Sequence, residues 1–163
     1  MLRPMVISLL AIDTLTKCPI VILKERNGER ILPMWIGVLE ANAISRALSG
    51  ITSVRPMTHE LLTNIIEMAG ITVSRVEICG LKDHTYYAIV YLNDGGKEII
   101  IDARPSDALA LALRVGAPIL VADEVIEQSK PAEVQVELKH SSKQGDKWKE
   151  LLETLDEKDF GNT

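Results

Sequence analysis

The order of secondary-structure signals repeats in this chain, and that repeat constrains the fold more than any other feature. Three apolar segments typical of strands precede an Ala-rich segment typical of a helix, and the same order returns 67 residues later without a gap. In this register Gly28 aligns with Gly95, and Glu40 aligns with Asp107. Repeated units stack to bury a shared apolar face. We therefore expect a duplicated βββα unit, with two unrelated meanders of equal length as the alternative.

Local patterns of apolar and polar residues predict the elements of both halves. Strands are expected at 5–12, 19–25 and 30–36, helices at 38–48 and 58–69, strands at 71–79, 85–92 and 97–101, a helix at 105–115, a strand at 119–121 and a helix at 123–128. Thr58 is expected to cap its helix, because a threonine hydroxyl there accepts a hydrogen bond from a free backbone N–H. The fold class is therefore α+β, with a mixed or antiparallel sheet packed with helices.

The length of the chain predicts a single compact domain. Hydrophobic residues make up 47% of the 163 residues, which is enough for one sizeable core. We place that domain at 1–130. Residues 131–163 are expected to hold an edge strand at 132–138, a polar linker at 140–146 and a short C-terminal helix at 148–155.

Charge and cysteine content exclude some classes of protein. The net charge is −5, which argues against a constitutive nucleic-acid coat protein, because such proteins are normally basic. Cys18 and Cys79 form no CxxC motif or disulfide framework, and reduced thiols are typical of a cytoplasmic protein. No apolar run approaches the roughly 18 residues of a membrane-spanning helix, so no membrane association is expected.

The junction between the strand at 97–101 and the helix at 105–115 is the densest group of chemical side chains. It carries Asp102, Arg104, Ser106 and Asp107 around Pro105. One interpretation is structural, because a carboxylate in the first helical turn is favoured by the helix dipole and Arg104 pairs with a neighbouring carboxylate. The other is functional, with Asp102 and Asp107 holding a divalent metal or activating water while Arg104 binds a phosphate.

Three residues elsewhere are candidates for the same site. Glu40 is the counterpart of Asp107 in the repeat register, so both carboxylates are expected to face one cleft. His59 lies at a helix start, where the dipole disfavours the charged imidazolium; it is either a solvated helix-start residue or a neutral general base. Trp35 ends a strand, where it serves either as a core or interface residue or as a platform for a stacked base. No zinc spacing, P-loop, GxGxxG or GxSxG motif occurs.

Two segments resemble the bifunctional nuclease family. One is Leu-Pro-Met-Trp-Ile-Gly at 32–37, with Glu-Ala at 40–41 and Arg-Pro-Met-Thr-His-Glu-Leu at 55–61; the other is Ile-Asp-Ala-Arg-Pro-Ser-Asp-Ala at 101–108. The resemblance covers about residues 5–128. It implies a compact α+β domain, a homodimer and nuclease activity on RNA and DNA. The polar positions that match are Glu40, His59, Asp102, Arg104, Ser106 and Asp107.

Together the residues and the resemblance lead to a metal-assisted phosphodiesterase acting on nucleic acid. Asp102 and Asp107 are expected to bind Mg²⁺ or Mn²⁺ with help from Glu40, His59 to act as base, and Arg104 to hold the phosphate. Ser106 and Trp35 are expected to contact the substrate. Two alternatives stay open: a non-enzymatic dimeric binding or regulatory domain whose charged junction is structural, and a sensor of small anions at the helix N-termini.

Overall fold

The computed structural model describes residues 1–129, and the predictions made for 131–163 lie outside this range. The described residues form seven strands and four helices. They are β1 (Leu2–Ile12), β2 (Pro19–Glu25), β3 (Ile31–Trp35), α1 (Val38–Leu48), α2 (Thr58–Met68), β4 (Thr72–Lys82), β5 (Thr85–Asp94), β6 (Lys97–Ala103), α3 (Pro105–Val115), β7 (Ile119–Ala122) and α4 (Asp123–Gln128). The predicted bounds of α1, α3 and α4 are confirmed to the residue.

All seven strands belong to one mixed sheet in the order β3-β2-β1-β7-β4-β5-β6. The first three strands form an antiparallel meander, as do β4, β5 and β6. The short β7 joins the two meanders, because it pairs antiparallel with β1 and parallel with β4. The predicted α+β class is confirmed.

The start of α2 differs from its prediction. Met57, rather than Thr58, is the N-cap, and Thr58 is already the first helical residue. The side chain of Glu60 takes over the capping role, because its Oε2 accepts a hydrogen bond of 3.0 Å from the backbone N–H of Met57. A glutamate in the first turn therefore satisfies the backbone N–H of the N-cap residue Met57, as in a capping box.

Helix α3 lies at the centre of the core. Six of its 11 residues are buried, and four of them are Ala or Ser. Small side chains allow close approach, and α3 packs against α1, α2, β4 and β5. Leu109 is fully buried there. Because its neighbours hold α3 on several sides, the side chains at its N-terminus are presented from a rigid support.

The two meanders are each followed by an 11-residue helix, and these helices begin 67 residues apart at Val38 and Pro105. The sheet curls between them: the Tyr86 hydroxyl on β5 donates a 3.2 Å hydrogen bond to the carbonyl of Pro33 on β3, although four strands lie between these two in the sheet. The curl brings α1 and α3 into contact. That the two units descend from one duplicated unit stays a prediction.

Candidate functional site

The candidate site lies where β6 passes into α3. Arg104 is the N-cap of α3, Pro105 opens the helix, and Asp107 lies in its first turn. Proline fits this place because the first helical N–H has no partner within the helix. The local sequence therefore fixes the direction of the helix and places a guanidinium and a carboxylate at its positive end.

Arg104 joins the first turns of α1 and α3. Its Nε donates to Asp107 Oδ2 at 2.7 Å and its Nη2 to Asp107 Oδ1 at 3.2 Å, a two-pronged pairing, while Nη1 donates to Glu40 Oε1 at 2.8 Å. The expectation that Glu40 and Asp107 face one cleft agrees with this geometry. Gly37 leaves room for Glu40, because an added Cβ at Gly37 would overlap the Glu40 carboxylate.

His59 brings α2 into the same cluster. Its Nε2 lies 3.0 Å from Asp107 Oδ1, a contact between residues 48 positions apart in the chain. The ring is mostly enclosed, with 18% of the side chain exposed. Asp107 therefore contacts a guanidinium and an imidazole at once. We refer to Glu40, His59, Arg104 and Asp107 as the junction cluster.

The electrostatics of the cluster fix the state of its central carboxylate. Desolvation acts to raise the pKa of Asp107, but hydrogen bonds from Arg104 and His59 outweigh it, so this pKa lies below its usual value. The hydrogen bond to Asp107 in turn raises the pKa of Arg104. An ionised carboxylate only accepts hydrogen bonds. Nε2 of His59 must therefore carry the hydrogen, and in the neutral ring the lone pair lies on Nδ1, where it can accept a proton.

The junction cluster lines a cavity of about 910 Å³. Helices α1, α2 and α3 form its sides together with β5 and β6. Apolar side chains make up much of the lining: Leu39, Ala43, Met57, Leu62, Ile66, Val90, Leu92, Ile101, Ala103, Ala108 and Leu111. A largely apolar cavity with a few convergent polar groups is typical of a small-molecule or substrate site.

The other predicted site residues lie differently. Asp102 is exposed on β6 and lines the cavity. Ser106 is buried in α3 and is not among the lining residues. Trp35 lies outside the lining as well, with its Nε1 donating to Asp13 Oδ2 at 3.0 Å. The roles proposed for Ser106 and Trp35 in substrate binding stay predictions.

The residues around Asp107 do not fit a divalent metal in their present arrangement. Both oxygens of Asp107 already accept hydrogen bonds from Arg104, and a cation on the same oxygens would have to displace that guanidinium. Within residues 1–129, no three His, Cys, Asp or Glu side chains come together in a way that could hold a metal ion. The expected Mg²⁺ or Mn²⁺ at Asp102 and Asp107 therefore stays a prediction.

Two cavity residues were missed by the sequence analysis. Arg46 of α1 and Arg114 of α3 both line the cavity. Helical spacing could have revealed them. On α1, Ala43 and Arg46 follow Glu40 at intervals of three residues, and on α3, Arg114 lies seven residues after Asp107. Residues at these intervals share one face of a helix. The signal that could have indicated these two residues is an arginine on the same helix face as each junction carboxylate.

Fold and site together define a class: an α+β domain whose sheet curls to bring two helix starts, an imidazole and a guanidinium into one cavity. The sequence matches the model of the bifunctional nuclease domain over residues 21–133. The chain belongs to this family.

Two kinds of relatives are similar to this chain in sequence. An uncharacterized protein of Mycobacterium tuberculosis is 37% identical over 150 residues, covering 89% of this chain and 90% of its own length. Bifunctional nuclease 1 of Oryza sativa subsp. indica is 30% identical over 63% of this chain, and bifunctional nuclease 2 of Arabidopsis thaliana is 26% identical over 62%. The chain matches 32% of the length of each plant protein.

No helix within residues 1–129 is long and apolar enough to span a membrane.

Proposed function

We propose that this protein is a nuclease that hydrolyses phosphodiester bonds in RNA or DNA at the junction cluster. The observation that carries the proposal is the contact of Asp107 with both His59 and Arg104 inside one cavity. An imidazole oriented by a carboxylate is an effective general base, and a guanidinium is well suited to phosphate. Membership of the bifunctional nuclease family supports the same chemistry.

In the proposed reaction, Nδ1 of His59 takes the proton of a water molecule as its oxygen attacks phosphorus. The bond from phosphorus to the leaving sugar oxygen then breaks, and that oxygen takes up a proton from solvent. Arg104 has five N–H groups and uses three on Asp107 and Glu40. The remaining two are free to bind the non-bridging oxygens, whose negative charge grows in the transition state.

The net charge of −5 requires that attraction for nucleic acid be local. The charged side chains that line the cavity are three arginines and three carboxylates: Arg46, Arg104, Arg114, Glu40, Asp102 and Asp107. Side-chain charges within a low-dielectric cleft act more strongly on a ligand than charges spread over the surface. Attraction for phosphate therefore depends on Arg46 and Arg114, which form no ion pair within residues 1–129, and on the free N–H groups of Arg104.

Removal of divalent metal tests whether Asp107 serves His59 and Arg104 or a cation. Because Arg104 occupies both oxygens of Asp107, we expect activity on single-stranded RNA and DNA to stay within about threefold after dialysis against EDTA. Hydrolysis should be measured on metal-depleted protein with and without added Mg²⁺ or Mn²⁺. Loss of activity in EDTA with recovery in Mn²⁺ would contradict this expectation and favour the metal-assisted reaction instead.

We also propose a homodimer formed through α2. Three apolar side chains at helical spacing on α2 face solvent, Leu61, Ile65 and Met68, with exposed fractions of 53%, 56% and 89%. An exposed apolar stripe of this kind is typical of an interaction surface. A second copy of the stripe would cover it symmetrically. The rival interpretation, a non-enzymatic dimeric domain, instead places the charged junction at the dimer interface.

The dimer is tested by charging the stripe. We expect the full chain to sediment at twice its mass of 18.0 kDa, and the Leu61→Glu, Ile65→Glu double variant to sediment as a monomer, because two buried carboxylates would be unpaired across the interface. Analytical ultracentrifugation measures both. Leu15→Glu, at an exposed leucine between β1 and β2, is the matched control and should remain dimeric. A wild-type monomer would overturn the proposal.

The placement of the two cysteines supports a cytoplasmic location. Cys18 and Cys79 are both exposed and unpaired. Exposed thiols persist in reducing compartments and are oxidised outside them. We therefore propose that the protein works in the cytoplasm.

A further inference from the structure

We propose that Arg46 and Arg114 form a second phosphate subsite in the cavity, which binds the phosphate next to the scissile one and makes the site selective for oligonucleotides. The proposal rests on the proposed nuclease function, since it names the substrate length which that site prefers.

The two arginines lie on the helices that begin at the junction cluster. Arg46 lies on α1 and Arg114 on α3, and these helices carry Glu40 and Asp107 in their first turns. Both arginines line the cavity together with the junction cluster. The cavity therefore contains positive groups at two places: Arg104 at the start of α3, and Arg46 and Arg114 further along α1 and α3.

The partners of the two guanidinium groups are all neutral. Arg46 Nη2 donates to the hydroxyl of Ser53. Arg114 Nη1 donates to the carbonyl of Ala110 at 2.7 Å, and its Nη2 to that of Ala43 at 3.2 Å. Other arginines form ion pairs with carboxylates, among them Arg3, Arg30, Arg75 and Arg104. Within residues 1–129, neither Arg46 nor Arg114 takes part in such a pair.

One nitrogen of the pair is buried without a partner. Among the side-chain nitrogen and oxygen atoms of residues 1–129, only Nε of Arg46 is both buried and without a hydrogen bond. A buried donor without an acceptor costs roughly 1–3 kcal/mol. An anion in the cavity would supply an acceptor once the Arg46 side chain turned this N–H toward it, which would remove the cost of the unmet donor.

The charge balance points in the same direction. Burial lowers the pKa of Arg114, the charge of Glu60 acts to raise it, and the positive charge of Arg46 lowers it further. The two guanidinium groups are thus close enough to repel each other. The charge of Glu60 acts on Arg114 more strongly than the charge of Arg46, so burial is the main cause of the lowered pKa of Arg114. A phosphate between the arginines would relieve their mutual repulsion and give the buried Arg114 guanidinium an anionic partner.

Helix geometry separates this subsite from the junction cluster. Arg46 follows Glu40 by six residues and Arg114 follows Asp107 by seven, which corresponds to about 9 Å along the axis of α1 and about 10.5 Å along the axis of α3. A phosphate held by Arg104 is therefore not the one held by Arg46 and Arg114. A strand with two successive phosphates can occupy both places, whereas a dinucleotide with a single phosphate can occupy only one.

The test compares binding of a labelled dinucleotide carrying one phosphodiester with that of a trinucleotide carrying two, by fluorescence anisotropy on the full chain. For wild type we expect the trinucleotide to bind at least tenfold more tightly. Arg46→Gln and Arg114→Gln should each weaken trinucleotide binding about tenfold and leave dinucleotide binding unchanged. Arg55→Gln, at an exposed arginine outside the cavity, is the matched control and should change neither.

The lysine variants Arg46→Lys and Arg114→Lys separate charge from folding. They keep the positive charge and should retain trinucleotide binding within about threefold, while circular dichroism confirms that all variants are folded. Equal binding of the two ligands by wild type, or equal weakening of both by the glutamine variants, would overturn the subsite. Because binding is measured apart from hydrolysis, a folded protein that binds the trinucleotide selectively but cleaves nothing would reject the nuclease and retain the subsite.

Discussion

His59→Gln is expected to lower kcat/KM on single-stranded nucleic acid by a factor of about 10²–10⁴, the usual contribution of a positioned general base. Glutamine can still donate a hydrogen bond to Asp107, which replaces the contact of 3.0 Å made by Nε2. It has no nitrogen that accepts a proton at neutral pH. The variant therefore removes proton transfer while it keeps the packing of the cavity, and steady-state kinetics on a quenched fluorescent oligonucleotide measures the loss.

His84→Gln is the matched control for that loss. His84 is exposed in the turn between β4 and β5, and it is not among the residues that line the cavity. Its replacement should leave kcat/KM within about twofold. Equal activity of the two variants would show that His59 takes no part in the reaction.

Arg104→Lys is expected to lower kcat/KM by about 10²–10³, comparable to the loss of one donor to a transition-state anion. Lysine keeps the positive charge but lacks the planar fork. It cannot donate twice to Asp107, reach Glu40 and still bind phosphate. The effect should fall mainly on kcat, since growing charge in the transition state is what the guanidinium stabilises.

The control for Arg104 is Arg26→Lys, at an exposed arginine between β2 and β3 that does not line the cavity. Kinetics on the same oligonucleotide should be unchanged. If Arg104→Lys retained full activity, a positive charge alone would be sufficient, and the two-pronged pairing with Asp107 would have only a structural role.

The elements of the fold were predictable because their signals are local. Pro105 at the start of α3 and Gly116 at its left-handed C-cap bound a helix whose apolar pattern is continuous, and the prediction is confirmed to the residue. Strand ends were less predictable. β6 extends through Ala103, because pairing of Asp102 with Ile89 of the neighbouring strand continues a ladder that no local pattern reveals. The predicted cap of α2 was wrong by one residue, because the helix already begins at Thr58 and Met57 takes the N-cap position.

The residues that form the site were easier to predict than the contacts between them. Asp107 and Arg104 are neighbours in sequence, so their pairing followed from the junction. Nothing local indicates that His59 reaches Asp107, because that contact depends on how α2 packs on α3. Arg46 and Arg114 were missed because each is an ordinary surface-type residue on its own helix, and only the packing of α1 on α3 places them in one cavity.

The central claim is that phosphodiester hydrolysis takes place at the junction cluster, and its most direct test follows activity through purification. Wild type and His59→Gln should be purified in parallel to a final size-exclusion step, with nuclease activity measured in every fraction. Activity should coincide with the protein peak for wild type and should be reduced at least 100-fold across the same peak for the variant. Activity that is equal in both preparations, or that separates from the wild-type peak, would contradict it.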